Sequence, residues 1–485
     1  MPTKNLTTPF ARDGVTQRNY VFGGGAETVF TANGEFVDAP DPNDPPNFVP
    51  FSIGYSIDTR GGNHTIYGSD LGDDLTGGDG SDTIFGGGGD DTIRGGNKED
   101  GSDASKGQQP PPTNLLVGDG VRQINGTYVT SITVATDTSV TASWDTITGG
   151  NGATNLVFAD YDGVELMAGD TGITAYTGGD DTVTGGSNGA DNVIYGDAKA
   201  VNFALGTQFT GGIDTITGGV DSDNLIFGDI AGDPSDPADP ITGETTLAAG
   251  AKFVGGNDVI MGGAGTGAFT ADNEIYGDVG GSLILMVNAN LGATEVTVQG
   301  GVDTITGGDG AENEIYGDFN SLTLADFNRV VGGNDVLTGG DANGVYVNLN
   351  ILYGDARVIS GLNGIFIGGN DTLYGAEGAT DRLYGDWVFD FTTGDASVSG
   401  GEDTFVIKQN GGNDTIIDFR STDNDGVGET PDLIGDKVDL TDFAGLTFLT
   451  LNWTDDNTIE FSVGNTLSFT GLVEGDFVAD DFIFA

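Results

Sequence analysis

Three nine-residue segments follow one another without a gap near the start of the chain and share one pattern. The segments are GSDLGDDLT at 68–76, GGDGSDTIF at 77–85 and GGGGDDTIR at 86–94. They match G-G-x-G-x-D-x-U-x, in which U is a large aliphatic residue and each repeat supplies a turn and a short strand of a parallel β-helix. The run therefore predicts an all-β solenoid rather than a flexible glycine-rich linker.

The same pattern brings oxygen atoms together. Glycine permits the positive φ of a tight turn and allows carbonyl oxygens to face inward. The sixth position of each repeat offers a carboxylate, from Asp73, Asp82 and Asp91. Calcium accepts mixed carbonyl and carboxylate oxygens. Because carboxylates stacked about 5 Å apart repel one another outside bulk water, we predict that calcium lies between the turns.

Downstream, the repeat becomes a longer unit with two halves, D-T-I-T-G-G and N-x-I-Y-G-D. The first half is anchored by Asp91, Asp145, Asp181, Asp214, Asp258, Asp303, Asp335, Asp371 and Asp403. The second half is anchored by Asn114, Asn155, Asn192, Asn224, Asn273, Asn313, Asn350 and Asp381. An aspartate follows each second-half anchor: Asp119, Asp160, Asp197, Asp229, Asp278, Asp318, Asp355 and Asp386.

Eighteen of these aspartates are the candidate metal ligands. They are Asp73, Asp82, all nine first-half anchors, Asp414 of a further GGNDTI motif, and Asp197, Asp229, Asp278, Asp318, Asp355 and Asp386. The change from Asp to Asn between the halves predicts two unlike sides of each coil. On the second side, asparagine can give an oxygen to calcium or stack in an amide ladder. We interpret that side as a mixture of both uses, because the following Gly-Asp pair still supplies charge.

The stretch between one unit and the next varies in length and often alternates apolar and polar residues. Examples are Val201, Phe203, Leu205 and Phe209, and Leu322 and Leu324. This alternation is typical of a half-buried strand, so we predict three strands for each coil. The Pro- or Ser-rich stretches 101–113 and 230–240 are predicted to be surface loops.

An aromatic row runs beside the second-half strands. Its members are Phe158, Tyr195, Phe227, Tyr276, Tyr316, Tyr353 and Tyr384. Alternation along a strand turns this row away from the aliphatic core. A bare apolar stripe would aggregate, so we predict that the added strands cover it.

The charge of the chain excludes several functions. Its 485 residues hold 74 acidic and 16 basic side chains, a net charge of −58, which repels nucleic acid. With His64 as the single histidine and no cysteine, a two-histidine zinc motif and thiol chemistry are excluded. No apolar run approaches the roughly 18 residues of a membrane span, and the N-terminus lacks the apolar core of a signal peptide. We expect neither a nucleic-acid partner nor membrane insertion.

These motifs resemble the RTX (repeats-in-toxin) family of hemolysin-type calcium-binding proteins, most specifically in the tandem nonapeptides and more loosely over roughly 61–420. The resemblance implies multiple Ca²⁺ ions and a calcium-stabilised parallel β-roll or β-helix solenoid with a β-rich C-terminal cap. GGNHTIY at 61–67 aligns with GGNDTLY at 368–374. His64 thus stands at an aspartate position, and the first coil is expected to lack a complete calcium site.

The C-terminal sequences GEDTFVIKQNGGNDTIIDF and NTLSFTGLVEGDFVADDFIFA are similar to the C-terminal region of RTX proteins exported by type I secretion. This implies a secreted protein, extracellular or at the cell surface. An ordinary β cap on the open end of a solenoid is the alternative, and both can hold for the same residues.

Four segments are predicted. They are an N-terminal β-like arm with a Pro-rich linker at 1–60, the tandem repeats at 61–100, the compound solenoid at 101–399, and the cap with its secretion-like region at 400–485. The first segment is expected either to fold back over the first coil or to dock on a neighbouring copy by strand addition. The second arrangement would give a homo-oligomer or polymer.

The predicted function is that of a non-enzymatic extracellular structural protein, which folds on binding calcium and self-assembles into a surface layer, filament or matrix. About 60 residues precede the repeats, which is too few for most catalytic domains. A polysaccharide-modifying enzyme, or an adhesin for cell-surface polysaccharide, is the alternative. Outward Thr-x-Thr pairs, such as Thr146 and Thr148, leave ice or mineral binding as a further alternative.

Overall fold

The computed structural model describes most of the chain in full and, elsewhere, the backbone of several strands. The fully described ranges are 56–59, 62–68, 71–98, 111–119, 130–169, 173–232, 244–267, 271–286, 295–325, 328–344, 348–361, 364–387, 399–421 and 435–485. Much of the predicted N-terminal arm and of the two predicted loops lies outside the described residues. In the described part, every regular element is a strand except for three 3₁₀ turns, at Phe448–Thr450, Glu474–Asp476 and Ala479–Asp481. The predicted all-β solenoid is confirmed.

Two long parallel sheets, sheet I and sheet II, form what we call the body. Sheet I contains Gln17–Val21, Gly54–Asp58, Asp74–Thr76, Thr92–Arg94, Thr146–Thr148, Thr182–Thr184, Thr215–Thr217, Val259–Met261, Thr304–Thr306, Val336–Thr338, Thr372–Tyr374, Thr404–Val406, Lys437–Asp439 and Phe482–Ile483. Sheet II contains Lys4–Asn5, Phe30–Thr31, Thr65–Tyr67, Thr83–Gly87, Thr113–Asp119, Thr154–Phe158, Asp191–Tyr195, Asp223–Phe227, Asp272–Tyr276, Glu312–Tyr316, Leu349–Tyr353, Thr380–Tyr384, Asn413–Ile416 and Asn465–Phe469, and ends with Thr458–Ser462 and Trp453–Asp455.

Equivalent residues of successive coils stack in register within each sheet. Ile147 pairs with Val183, which pairs with Ile216. Because side chains alternate between the two faces of a strand, these aliphatic residues all point inward, and all are fully buried. Burying one such side chain contributes about 1.5–3 kcal/mol. The body core is therefore a pair of aliphatic ladders, as the repeat predicts.

The stretch between one unit and the next forms a second pair of sheets, which we call the lobe. Sheet III consists of a three-stranded part with Ser131–Val134, Tyr161–Leu166 and Ala198–Phe203, and a five-stranded part with Glu244–Leu247, Val279–Leu285, Phe319–Leu324, Ala356–Gly361 and Trp387–Phe389. Isolated bridges through Ile230 connect the two parts. Sheet IV contains Ser139–Thr141, Ala175–Thr177, Gln208–Thr210, Lys252–Val254, Thr297–Gln299, Arg329–Val331, Ile365–Ile367 and Ser397–Ser399. The two remaining pairs are antiparallel: Val37–Asp41 with Asp44–Phe51, and Arg122–Ile124 with Thr127–Val129.

Coils with a lobe therefore have four strands, and the prediction of three is wrong. The alternating run from Val201 to Phe209 is broken by a turn at Gly206, whose φ is +67°. Leu205 sits at this turn and is 43% exposed, whereas Val201 and Phe209 are buried. Alternation alone does not reveal such a break, because the apolar residues resume on the next strand in a similar rhythm.

The lobe has its own apolar core and covers the aromatic row. Buried residues of sheets III and IV, such as Phe209, Phe253 and Leu322, form a cluster separate from the body core. In the row, rings stack with centroids 5.0 Å apart between Tyr195 and Phe227. A Cβ on Gly280 of sheet III would lie 1.9 Å from the Phe227 ring. The prediction that added strands cover the row is confirmed.

An asparagine ladder lines the edge where sheet I turns into sheet II. It contains Asn114, Asn155, Asn192, Asn224, Asn273, Asn313 and Asn350. The Asn273 Nδ2 donates to Asn313 Oδ1 at 2.8 Å and to the Gly263 carbonyl at 3.0 Å. Its Oδ1 accepts from Asn224 Nδ2 at 2.9 Å and from the Gly263 N–H at 2.8 Å. The amides satisfy one another and the turn backbone.

The two ends of the solenoid differ. At the C-terminal end, two antiparallel strands extend sheet II beyond Asn465–Phe469, and Phe469 and Phe477 join the body core. At the N-terminal end, Gln17–Val21 pairs in parallel with Gly54–Asp58, and Phe30–Thr31 pairs with Thr65–Tyr67. Strands of residues 1–60 thus continue both body sheets of the same chain.

Replacing Asn273 by alanine should destabilise the calcium-loaded protein strongly. The change leaves Asn224, Asn313 and the backbone of Gly263 without their partners, and an unsatisfied buried polar group costs about 1–3 kcal/mol. We expect the free energy of unfolding, measured by chemical denaturation, to fall by at least about 2 kcal/mol. Asp272→Ala on the exposed face of the same strand is the control, and equal losses in both variants would contradict a structural role for the ladder.

Candidate metal centres

The first-half aspartates form a buried row at the start of the sheet I strands. The row contains Asp73, Asp91, Asp145, Asp181, Asp214, Asp258, Asp303, Asp335, Asp371, Asp403 and Asp436. From Asp73 to Asp403, each backbone N–H donates to Oδ1 of the aspartate in the next coil, as from Asp258 to Asp303 at 2.6 Å and from Asp303 to Asp335 at 2.8 Å. One carboxylate oxygen in each coil is thereby used to hold the register.

The other oxygen, Oδ2, has no hydrogen-bond partner in nine members of this row. These are Asp91, Asp145, Asp181, Asp214, Asp258, Asp303, Asp335, Asp371 and Asp403. None of the nine residues is more than 2% exposed. Buried polar atoms without a partner are costly, so this repeated set of oxygens requires a cation or a proton.

The aspartates of the Gly-Asp pairs form a second buried row, at the passage from sheet II to sheet III. It contains Asp119, Asp160, Asp197, Asp229, Asp278, Asp318, Asp355 and Asp386. From Asp160 to Asp386, these carboxylates accept backbone N–H groups of the Gly-Gly turns that lead back from sheet IV to sheet I, whereas Asp119 accepts from the backbone and hydroxyl of Ser143. Gly256 N donates to Asp229 Oδ2 at 3.0 Å, and Gly301 N donates to Asp278 Oδ2 at 3.0 Å.

The two rows meet in what we call the neck, where the chain leaves the body for the lobe and returns from it. Oxygens of Asp278, Asp303 and Asp318 lie within 4.8 Å of one another, and all three residues are fully buried. The interpretation that assigns the Gly-Asp aspartates to the asparagine side is wrong. The chain leaves the body at Gly-Asp and re-enters at Gly-Gly, so both aspartates come to the same corner.

Carbonyl oxygens face the same space as these carboxylates. A Cβ added to Gly277 would lie 1.8 Å from the Gly317 carbonyl oxygen and 2.1 Å from Asp303 Oδ2. Gly228 is placed in the same way between the Gly277 carbonyl and Asp258 Oδ2. Only glycine fits at these positions. The donor set is thus mixed carboxylate and carbonyl oxygen, which fits Ca²⁺, a hard cation that takes six to eight oxygens.

The electrostatics of the protein without metal follow from burial and like charge. Burial, together with the charges of Asp145 and Asp73, raises the pKa of Asp91 to about 10. Burial, together with Asp119, raises the pKa of Asp145 to about 9. Burial and the charge of Asp318 raise the pKa of Asp278 well above its ordinary value. Near neutral pH, Asp91 and Asp145 therefore retain protons in the folded chain unless a cation neutralises them.

A side-chain cation lies at the C-terminal end of the neck. The Arg420 Nη2 is 3.0 Å from Asp386 Oδ2 and 3.6 Å from Asp436 Oδ1, and it also contacts the Gly401 carbonyl. Asp436 and Arg420 were not among the predicted site residues. A signal for Asp436 exists, because GDKVDL repeats the first-half pattern 33 residues after Asp403. No repeat position marks Arg420.

Two predicted ligands, Asp82 and Asp414, do not lie in the neck but at the two ends of the asparagine edge, where Asp414 lies beside the second-half anchor Asp381. Asp82 precedes Asn114 in that row, and its Oδ1 accepts the His64 backbone N–H at 3.0 Å and lies 3.1 Å from His64 Nδ1. Burial raises the pKa of Asp82, and His64 partly offsets the rise. Asp381 and Asp414 close the other end, where Asp381 N donates to Asp414 Oδ1 at 3.3 Å.

The two uses predicted for the asparagine side, metal binding and an amide ladder, are therefore found at different places along the solenoid. From Asn114 to Asn350 the row is an amide ladder whose oxygens already accept N–H groups. Carboxylates occupy only its ends, and Asp82 Oδ2 and Asp414 Oδ2 have no hydrogen-bond partner. The oxygens that can hold a metal on this edge are thus confined to the first and last coils.

A comparison with protein families identifies the repeat. The family model of the RTX calcium-binding nonapeptide repeat (4 copies) matches residues 67–100 and 368–391. The resemblance of the repeats to the RTX nonapeptide is thereby confirmed, and repeats of this kind bind calcium, as multiple ions. No curated protein and no solved structure matches the chain. Within the described residues, no helix is long and apolar enough to cross a membrane.

Metal-free protein should lose stability as the pH rises. The folded-state pKa of Asp91, about 10, and that of Asp145, about 9, lie above the ordinary value of 3.8. A raised pKa contributes stability that is present below the ordinary pKa and is lost as the pH rises through the folded value. We expect dialysed, chelator-treated protein to retain a larger folded fraction, followed by far-UV circular dichroism, at pH 5 than at pH 8, with the difference much smaller in saturating calcium. A metal-free protein that becomes more stable with rising pH would contradict this.

Proposed function

We propose that this chain, which carries calcium-binding repeats of the RTX type, is a non-enzymatic, extracellular structural protein that folds on calcium and self-associates into a layer, filament or matrix. The observation that supports this most is the row of buried carboxylate oxygens without partners, which continues coil after coil from Asp91 to Asp403. The metal sites thus extend along the body rather than forming one local centre. In such an arrangement the bound metal serves the architecture.

Calcium concentration then controls where the chain folds. Extracellular calcium modules bind at about 10⁻⁴–10⁻³ M, so the low calcium inside a cell leaves the sites empty. A chain with a net charge of −58 and facing carboxylates is expanded without cations. Export of the unfolded chain and folding outside the cell agree with this, and the secretion-like C-terminal sequence is the signal we propose for it.

The distribution of surface charge favours association through sheet I. Eight consecutive strands of sheet I, from Thr146–Thr148 to Thr404–Val406, have no charged side chain at their two outward positions. The outward positions of sheet II carry Asp191, Asp223, Asp272, Glu274, Glu312 and Glu314. Two copies that approach by their sheet I faces avoid the repulsion that acts between other acidic surfaces.

Strand edges at the N-terminal end offer a second contact between copies. Unpaired edge strands promote pairing with another chain. The strands of residues 1–60 continue the body sheets of their own chain, so the edge that they present is the one on which a neighbour would add. This contact would be head-to-tail and would extend the solenoid, whereas sheet I contacts would join solenoids side by side.

Calcium should convert the chain from an expanded state to a β-rich one. We expect the far-UV circular dichroism of chelated protein near neutral pH to show little β structure, and millimolar calcium to restore it, because binding energy appears as folding energy. The hydrodynamic radius should fall in the same calcium range. A chelated protein that is already compact and rich in β structure at neutral pH would contradict calcium-coupled folding.

Charges placed on sheet I should prevent side-by-side association. We expect sedimentation in millimolar calcium to show polymers for the native chain and smaller species for Thr215→Asp/Thr304→Asp. The control is Thr246→Asp, at an exposed threonine of a sheet III strand.

Deleting residues 1–60 tests the head-to-tail contact separately by electron microscopy. A native chain that stays monomeric at high concentration would contradict self-assembly.

A further inference from the structure

We propose that the neck holds a continuous single row of calcium ions through the four-stranded coils, from Asp145 to Asp355, outside the residues that the RTX family model matches. The proposal rests on the proposed function in that calcium fills sites along the body. It goes further by placing the ions in coils whose turn has been opened to insert a lobe. It also assigns the ligands to two different carboxylate rows.

The donor chemistry is complete in the middle of the neck. Asp278, Asp303 and Asp318 bring oxygens within 4.8 Å of one another, and Asp303 Oδ2 has no hydrogen-bond partner. The Gly317 carbonyl oxygen faces the same space, since both atoms lie about where a Gly277 Cβ would stand. Three carboxylates and a carbonyl around one point are the hard oxygen donors that calcium prefers.

The arrangement repeats from coil to coil. The Oδ2 of Asp214, Asp258, Asp303 and Asp335 is unpartnered each time. In each case, a glycine that precedes a Gly-Asp aspartate keeps a carbonyl oxygen and that Oδ2 together, at Gly196, Gly228, Gly277 and Gly317. Parallel strands repeat about every 4.8 Å. The sites therefore form a row along the solenoid axis rather than isolated centres.

The C-terminal end of the neck shows that these carboxylates accept a cation. There Arg420 places its guanidinium against Asp386 and Asp436, one carboxylate from each row. The guanidinium nitrogen also lies at the position that a Gly400 Cβ would contact, 2.4 Å away, beside Asp386 Oδ2. A side-chain cation thus ends the row at its last pair of aspartates. Inside the row, within the described residues, no lysine or arginine forms an ion pair with these aspartates.

The opposite edge of the same coils takes no metal. Asn273 uses its amide N–H groups for Asn313 and the Gly263 carbonyl, and its oxygen accepts two N–H groups. In the four-stranded coils, calcium therefore lies along the neck edge alone. At the two ends of the solenoid, carboxylates are present on the neck edge and on the asparagine edge. With one calcium ion in each coil, the charge of two aspartates, one from each row, is balanced by one divalent cation.

The neck is also where the body core and the lobe core are joined. The two apolar clusters share no residue, and both chain crossings of each coil pass through the neck. Calcium bridging an Asp of the sheet II to sheet III crossing to an Asp of the sheet IV to sheet I crossing would therefore hold the lobe closed on the body. Loss of one ion should loosen the lobe locally and leave the asparagine edge in place.

The test counts calcium ions on the folded full chain. Equilibrium dialysis against calcium chloride, with bound calcium measured by atomic emission, should give about one ion for each of the six unpartnered first-row carboxylates from Asp145 to Asp335, in addition to those that the end coils hold. Asp303→Asn keeps the shape and the acceptor for Asp258 N but weakens the site, and we expect it to lose about one ion. Asp272→Asn, an exposed position with the same change of charge, should lose none.

If the Asp303→Asn variant fails to fold, the calcium count on the native chain still tests the proposal. A native count of five or fewer, which the unpartnered carboxylates outside the neck row could take alone (Asp82, Asp91, Asp371, Asp403 and Asp414), would overturn the neck row. If calcium still folds the chain in that case, the proposed function survives and only the neck proposal fails. Equal losses in Asp303→Asn and Asp272→Asn would also overturn it.

Discussion

Buried carboxylate oxygens that have no hydrogen-bond partner in the protein are the constraint on which the rest of the structure depends. A charged carboxylate in a dry interior is very unfavourable unless it is paired or bound to a metal. This chain repeats the problem in every coil, since Asp258, Asp303 and Asp335 each bury an oxygen that no N–H group reaches. Glycines around these oxygens leave room for a cation and add carbonyl ligands. The proposal that the chain folds on binding calcium rests on this constraint.

The two edges of each coil carry side chains of nearly the same shape, asparagine on one and aspartate on the other, but these side chains differ in how their polar atoms are satisfied. An amide carries donors and an acceptor, so Asn273 can bind both of its neighbours and the turn backbone, and the asparagine ladder closes on itself. A carboxylate only accepts hydrogen bonds, so Asp303 can hold its register through Oδ1 but leaves Oδ2 open. Each coil thus has one edge whose amide groups are satisfied within the protein, and one edge whose carboxylates leave an oxygen open for a cation.

The short strands, the inward aliphatic residues and the first aspartate row could be predicted from the sequence, because each depends on spacing within nine residues. Ile147, Val183 and Ile216 stack as expected. The fourth strand could not be predicted, since the turn at Gly206 leaves the apolar rhythm intact. The convergence of Asp278 with Asp303 could not be predicted either, because it depends on where the chain crosses between body and lobe. Arg420 belongs to no repeat, and only the fold brings it to Asp386.

A crystal structure of the calcium-loaded protein, with anomalous scattering recorded at a wavelength where calcium contributes, tests the metal-dependent edge most directly. We expect a line of anomalous peaks along the neck, one for each coil and about 4.8 Å apart, and none beside the asparagine ladder from Asn114 to Asn350. Peaks along the asparagine ladder, or a neck without peaks between Asp145 and Asp355, would contradict calcium as the partner of the buried carboxylates.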